Sequence, residues 1–373
     1  MSPEVSATGA DFHSQPRFDA FSSGVALEER EEVPGRAFRN PLLPRGQDPF
    51  VTRHGDNYYY VHAGASLGWT PVYVSEANSL TGFRTAERVP VWTPAQEGPA
   101  SRDIWAPKIK RIQGTWWMNV AAWSGRPGDP HRMYSLQGGE HPQDPYTIKG
   151  ELRSEKTSWG IDGTMFEDGG DLYYVWSGKD TISVDGERDE NGNTRPDPQN
   201  IYISRMENPW TLTGETKKIS VPQYPWEKKG PQPVNEGPQV IQRDGTTIII
   251  NSASNTLTDD YCLGMITNKT SDLLEPEAWV KYDQPVFAKT DEVFGPGHAS
   301  YITTPRGGDW IIYHSAQYSG SGLERQVNAQ PFTWSSDGLP LFGRPVSPHE
   351  VLLDTTAIRD EGQTFLYRQD MAA

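Results

Sequence analysis

Five stretches of this chain are variations on one another: GDNYYYVHA, GTWWMNVAA, GDLYYVWSG, GTTIIINSA and GDWIIYHSA. Each leaves a turn glycine, runs through aromatic or β-branched residues, and stops at small ones. Their first glycines are Gly55, Gly114, Gly170, Gly245 and Gly308, at intervals of 59, 56, 75 and 63 residues by subtraction. A second strand-like run follows each after a turn: TPVYVSEA, HRMYSLQ, QNIYISRM, YCLGMIT and FTWSSDG. A chain that returns to the same short strands at about 60-residue intervals must build one unit repeatedly, and such units pack radially as blades. The expected fold class is all-β, a five-bladed β-propeller. A pair of β-sandwiches is the alternative, against which five matches in register count. Helical periodicity is absent over any useful length.

The 373 residues allow one large domain or two ordinary ones. The expected organisation is an N-terminal arm over 1–36, loose or packed on the propeller, and the propeller itself over 37–373. The 36 Gly and 31 Pro supply turns, and the 13 Trp and 16 Tyr suit strands. A formal net charge of −15 argues against nucleic acid and anionic membrane as partners, since both need a basic face. No apolar run of about 20 residues is present, so no membrane-spanning helix is expected. Cys262, in DYCLGM, reads as a small core residue rather than a nucleophile. The opening residues lack a basic segment followed by an apolar one. Two compartments fit that: cytoplasmic as written, or exported with a leader removed.

The residues just upstream of the repeats carry the chemistry. Asp48 lies 7 before Gly55, Trp105 9 before Gly114, Asp162 8 before Gly170, Glu236 9 before Gly245 and His298 10 before Gly308. In a propeller, matching positions converge on one axis. Three carboxylates, an indole and an imidazole are therefore expected at one end of the channel. Crowded carboxylates destabilise one another unless something uses them. Glycoside hydrolysis requires two acids flanking one bond, one protonated and one ionised, and a third negative charge raises the pKa of the donor.

At these residues the chain resembles the glycoside hydrolases of family 43, most closely an exo-acting α-L-arabinofuranosidase branch. The resemblance runs from about Asn40 to about Gly343, through NPLLPRGQDPF, RDIWAPKIKRIQGTWW, GIDGTMFEDGGDLYYVW, NEGPQV and VFGPGHASYITTP to NAQPFTWSSDGLPLFG. It implies a five-bladed propeller that inverts anomeric configuration. By the matching motifs it implies Asp48 as general base, Asp162 as the residue that orients the acid and modulates its pKa, and Glu236 as general acid. It also implies His298 in the channel, often beside a calcium ion with a mainly water shell, and Arg325 as support for the acid. No cofactor is implied for the chemistry itself. The family commonly has Glu after the WAP tripeptide, where this chain has Lys108, and His is frequent where it has Lys110. Those departures bear on substrate identity rather than on the three acids. Sucrose-cleaving propellers carry RDP and EC motifs in their strands; here RPDP occurs only in the acidic insertion Ser183–Pro198, and EC is absent.

Trp105 and Trp159 are candidates for stacking on a sugar ring, with interblade packing as the bland reading, and Phe50 is a candidate pocket wall. His62 and His314, inside strand runs, read as satisfied core or interblade histidines. No HExxH, P-loop, dinucleotide-binding or GxSxG motif appears. The function expected is an inverting exo-glycosidase that releases terminal α-L-arabinofuranosyl units from arabinan, arabinoxylan or oligosaccharides. The alternatives are a β-xylosidase, galactofuranosidase or D-arabinofuranosidase with the same acids, or a non-catalytic glycan-binding propeller. A carbohydrate is the expected partner; oligomeric state is not encoded in these patterns.

Overall fold

The computed structural model describes residues 37–65, 67–180 and 197–357. The arm over 1–36 and most of the acidic insertion lie outside them. Five four-stranded sheets follow one another, each an antiparallel meander whose strands pair in chain order. Their first strands are β1 (Phe50–His54), β2 (Arg102–Ile112), β3 (Thr157–Asp168), β4 (Asn235–Arg243) and β5 (Phe294–Thr303). These five neighbour one another in a closed ring, so they are the inner strands of the expected five-bladed β-propeller.

The repeats GDNYYYVHA to GDWIIYHSA are the second strand of each blade. Their unbroken aromatic and aliphatic runs have a physical cause: such a strand is buried on both faces. In blade 1, Tyr59 and Val61 pack toward blade 2 against Ile104, Trp116 and Met118, whereas Tyr58 and Tyr60 pack toward blade 5 against Trp310 and Ile312. Ile249 and its neighbours Ile248 and Ile250 divide in the same way between blades 3 and 5. Alternate residues of a strand point to opposite faces, so both sets must be apolar. The core is accordingly five apolar layers, one between each pair of neighbouring blades. Cys262 is buried beside the Ala253 carbonyl, as expected of a core thiol.

One strand differs from the sequence expectation. The third strand of blade 5 is Arg325–Trp334, so FTWSSDG marks only its end. Its earlier part is polar because Asn328 donates to Ser315 and Gln330 donates to the carbonyls of Phe342 and Arg344. The ring is closed by the chain ends. Leu43 and Val327 exchange backbone hydrogen bonds at 3.1 and 2.9 Å, while Asp354 and Thr356 accept from the backbone N–H groups of Thr81 and Leu80 in blade 1.

Candidate active site

Near the start of each inner strand a matching residue turns to positive φ: Asp48 (46°), Ala106 (43°), Asp162 (61°), Gly237 (58°) and His298 (46°); β2 and β5 carry a second, Asp103 (48°) and Gly295 (55°). In blades 2 to 5 the pairing register with the second strand shifts at this point, as at Trp105/Lys108, Ile161/Thr164, Glu236/Gln239 and Gly297/Ser300. A bulge of this kind bends the strand and re-aims its side chain. Left-handed backbone at non-glycine residues is uncommon and concentrates at functional sites. The truly equivalent positions are therefore Asp48, Ala106, Asp162, Gly237 and His298. Trp105 and Glu236 each stand one residue earlier than expected, because counting back from the turn glycine ignores the bulge.

That offset matters in blade 4. Its left-handed position is glycine, and a Cβ there would lie 3.3 Å from the His298 ring. Glu236 thus reaches the site from the preceding residue while Gly237 lets His298 close in. The Gly237 N–H donates to Asp162 Oδ2 at 3.0 Å.

Asp48 Oδ1 lies 3.2 Å from His298 Nδ1, 3.3 Å from His314 Nδ1 and 3.8 Å from Arg325 Nη1. The Asp48 N–H donates to the same His314 nitrogen at 3.1 Å. Burial by itself would raise the Asp48 pKa; His298, His314 and Arg325 outweigh it and hold the carboxyl well below the usual carboxylate range. Glu236 has the opposite environment. Its Oε1 accepts from the Tyr261 hydroxyl at 2.8 Å, and the Tyr261 ring stacks on His314 with centroids 5.4 Å apart. Burial first, then the Asp162 charge, push Glu236 up to about 8, against the pull of Tyr261. Burial raises Asp162 too, opposed by His298, Lys108 and the Gly237 N–H. Each acid has a buried cation in reach, Lys108 for Asp162 and Arg325 for Glu236, but Asp162 also has His298 and the Gly237 N–H favouring its ionised form, so the proton rests on Glu236. The Asp48 side chain is 18% exposed, whereas Asp162 is 3% and Glu236 7% exposed, so water reaches Asp48 most readily.

Asp48, Asp162, Glu236, His298 and Arg325 are therefore brought together. Arg325, expected beside the acid, makes its ion pair with Asp48, and its charge acts on Glu236 as well. Three other candidates have the following neighbours. Trp105 stacks on His131 with centroids 3.7 Å apart, and Trp159 carries the Lys179 ammonium 4.6 Å above its ring. Phe50, two residues after Asp48, lines a cavity of about 120 Å³ with Lys108, Thr164, Gln239 and Ser300.

Two residues were missed or misread. Tyr261 passed unnoticed in an apolar strand start. His314 was expected to be a satisfied core or interblade histidine; its Nδ1 instead faces Asp48, and its Nε2 is buried without a hydrogen-bond partner. His62 is half-buried and satisfied, with Nδ1 on the Ala63 carbonyl and its ring between Tyr60 and Tyr73.

The calcium ion that the resemblance implies can be tested against these residues. Calcium takes about six to eight oxygen ligands. His298 has one unpartnered atom, the buried Nε2. Among the described residues no three His, Cys, Asp or Glu side chains gather to hold a metal. The Lys108 charge also acts on His298, after those of Asp48 and Asp162. The described residues supply no cage of protein ligands, and an ion with a mainly water shell would meet the buried His298 Nε2.

Similar proteins share this architecture. An extracellular exo-α-(1→5)-L-arabinofuranosidase from Streptomyces avermitilis is 36% identical over 327 residues, 84% of this chain and 65% of the relative. The chain thus spans a little under two thirds of that relative's length. A protein of the same description from Streptomyces chartreusis is 33% identical over 79% of this chain and 86% of its own. The crystal structure of an α-L-arabinofuranosidase from Lactobacillus brevis superposes with a TM-score of 0.75 at 32% identity, covering 84% of this chain and 98% of that one. The family model for glycosyl hydrolases family 43 matches residues 38–340, and with the five blades and the acid cluster in place, the chain belongs to that family.

Proposed function

We propose that this protein is an inverting exo-glycosidase that releases terminal α-L-arabinofuranosyl units from arabinan or arabinoxylan side chains or from oligosaccharides. The observation that carries the reading is the opposite environment of two carboxyls in one cluster. Asp48, beside His298, His314 and Arg325, stays ionised, while Glu236, buried beside Asp162, is pushed up to about 8 and holds a proton at neutral pH. The sugar and the exo mode follow the printed descriptions of the Streptomyces and Lactobacillus relatives.

In this reading Glu236 donates its proton to the glycosidic oxygen as the bond to the anomeric carbon breaks. A water held by Asp48 attacks that carbon from the opposite face and gives Asp48 its proton. Asp162 keeps the acid protonated between turnovers by its negative charge. No cofactor takes part. Inversion needs room for the water, so the two carboxyls are expected about 6.5–9.5 Å apart across a bound sugar.

The test is Glu236→Gln on an unactivated arabinofuranoside and on an activated aryl one. A loss of several orders of magnitude on the first and much less on the second is expected, because a good leaving group needs little protonation. Retention of more than about a tenth of the rate on the unactivated substrate overturns the assignment.

A further inference from the structure

Lys108 is buried at 4% exposure on β2, in the middle of the channel, and no carboxylate pairs with it directly. Its Nζ instead donates to three oxygens: the Asp162 carbonyl at 2.8 Å, Thr164 Oγ1 at 3.0 Å and the Pro238 carbonyl at 3.2 Å. The Thr164 hydroxyl spends its own proton on the Pro238 carbonyl at 2.8 Å, so toward Lys108 it can only accept. Three oxygens around one nitrogen match the three N–H bonds of an ammonium.

Its partners belong to the site's own strands. Asp162 and Thr164 belong to blade 3; Pro238 is two residues past Glu236 in blade 4. We propose that Lys108 is a positioning residue of the reaction: it ties the strands that carry Asp162 and Glu236, and its positive charge keeps Asp162 ionised so that the proton rests on Glu236. This rests on the reading of Glu236 as the acid. It also places a tethered cation on the stretch of channel where the resemblance puts a metal.

Every group facing the pair is consistent with this placement. Asp162 is faced by His298, Lys108, Asp48, the Gly237 N–H, Tyr174 and Tyr261; of these, Lys108 is the one whose nitrogen sits among three oxygens. Glu236 is faced by Asp162, Tyr261, Asp48, Arg325 and Lys179. Burial pulls Lys108 down to about 8, with Asp162 and Asp48 opposing, so the ammonium persists at neutral pH.

The test is Lys108→Met, which keeps the length of the stem and removes the charge. With Asp162 then competing for the proton, the rate on an unactivated arabinofuranoside is expected to fall about tenfold or more, and an activated aryl substrate to suffer less. The acid limb of the kcat/KM profile is expected to move up by about one unit. A profile that superposes on the wild type, with equal losses on both substrates, overturns the proposal, since loss of packing alone would not discriminate between leaving groups. If Glu236→Gln abolishes activity on the unactivated substrate while Lys108→Met keeps the wild-type profile, this proposal alone falls. If Glu236→Gln keeps its rate, both fall. Should Lys108→Met not fold, 13C carboxyl titration of the wild type decides: an ionised Asp162 beside a protonated Glu236 at neutral pH supports the proposal, and the reverse overturns it.

Discussion

The backbone N–H of Gly237 donates to Asp162 Oδ2 at 3.0 Å, so the carboxylate of blade 3 is bonded to the residue that follows Glu236. The two acids are coupled through structure as well as through charge, and several consequences can be measured.

Gly237 combines a φ of 58° with a Cβ position 3.3 Å from the His298 ring. Gly237→Ala is expected to destabilise the fold by about 1–3 kcal/mol, from left-handed backbone strain and from pressure on His298. The displaced His298 should also lower kcat by more than it changes KM. Thermal unfolding and steady-state kinetics of the variant check both; an unchanged melting temperature contradicts the strain argument.

Tyr261 donates to Glu236 Oε1 and thereby favours the ionised acid. Tyr261→Phe removes that hydrogen bond while keeping the ring on His314. The Glu236 pKa should rise further, and the basic limb of the kcat/KM profile should move up relative to wild type. A basic limb that moves down contradicts this account.

The same raised pKa has a stability consequence. Glu236 goes from an ordinary value of 4.5 to about 8 in the fold, so the native state binds the extra proton. That contribution is fully present below 4.5 and is lost as pH rises through about 8. Glu236→Gln has no such loss. Its melting temperature relative to wild type should climb between pH 5 and pH 9, and a constant difference across that interval contradicts the assignment.

How much of this was legible beforehand depends on what a residue type reveals alone. The blades were legible because their second strands are apolar on both faces, so Tyr58, Tyr59 and Tyr60 could be read as one run. The third strand of blade 5 was not, since its buried Asn328 and Gln330 are satisfied by partners distant in sequence or across a turn. Asp48, Asp162 and Glu236 were found by their motifs, but the one-residue offset of Glu236 was invisible because a bulge leaves no compositional mark. His314 and Tyr261 look like core residues; ring closure brings His314 of blade 5 to Asp48, and the folding of blade 4 brings Tyr261 to Glu236.

Removal of metal separates the two readings of His298. With Lys108 supplying the channel's positive charge, chelation is expected to leave the melting temperature and activity unchanged. A fall in melting temperature that calcium restores contradicts that reading.

The central claim is that Asp48 activates water on the face of the sugar opposite Glu236. NMR of the first-formed sugar, recorded before mutarotation, tests it most directly. The account predicts that an α-L-arabinofuranoside releases β-L-arabinofuranose first; initial release of the α-anomer would contradict it.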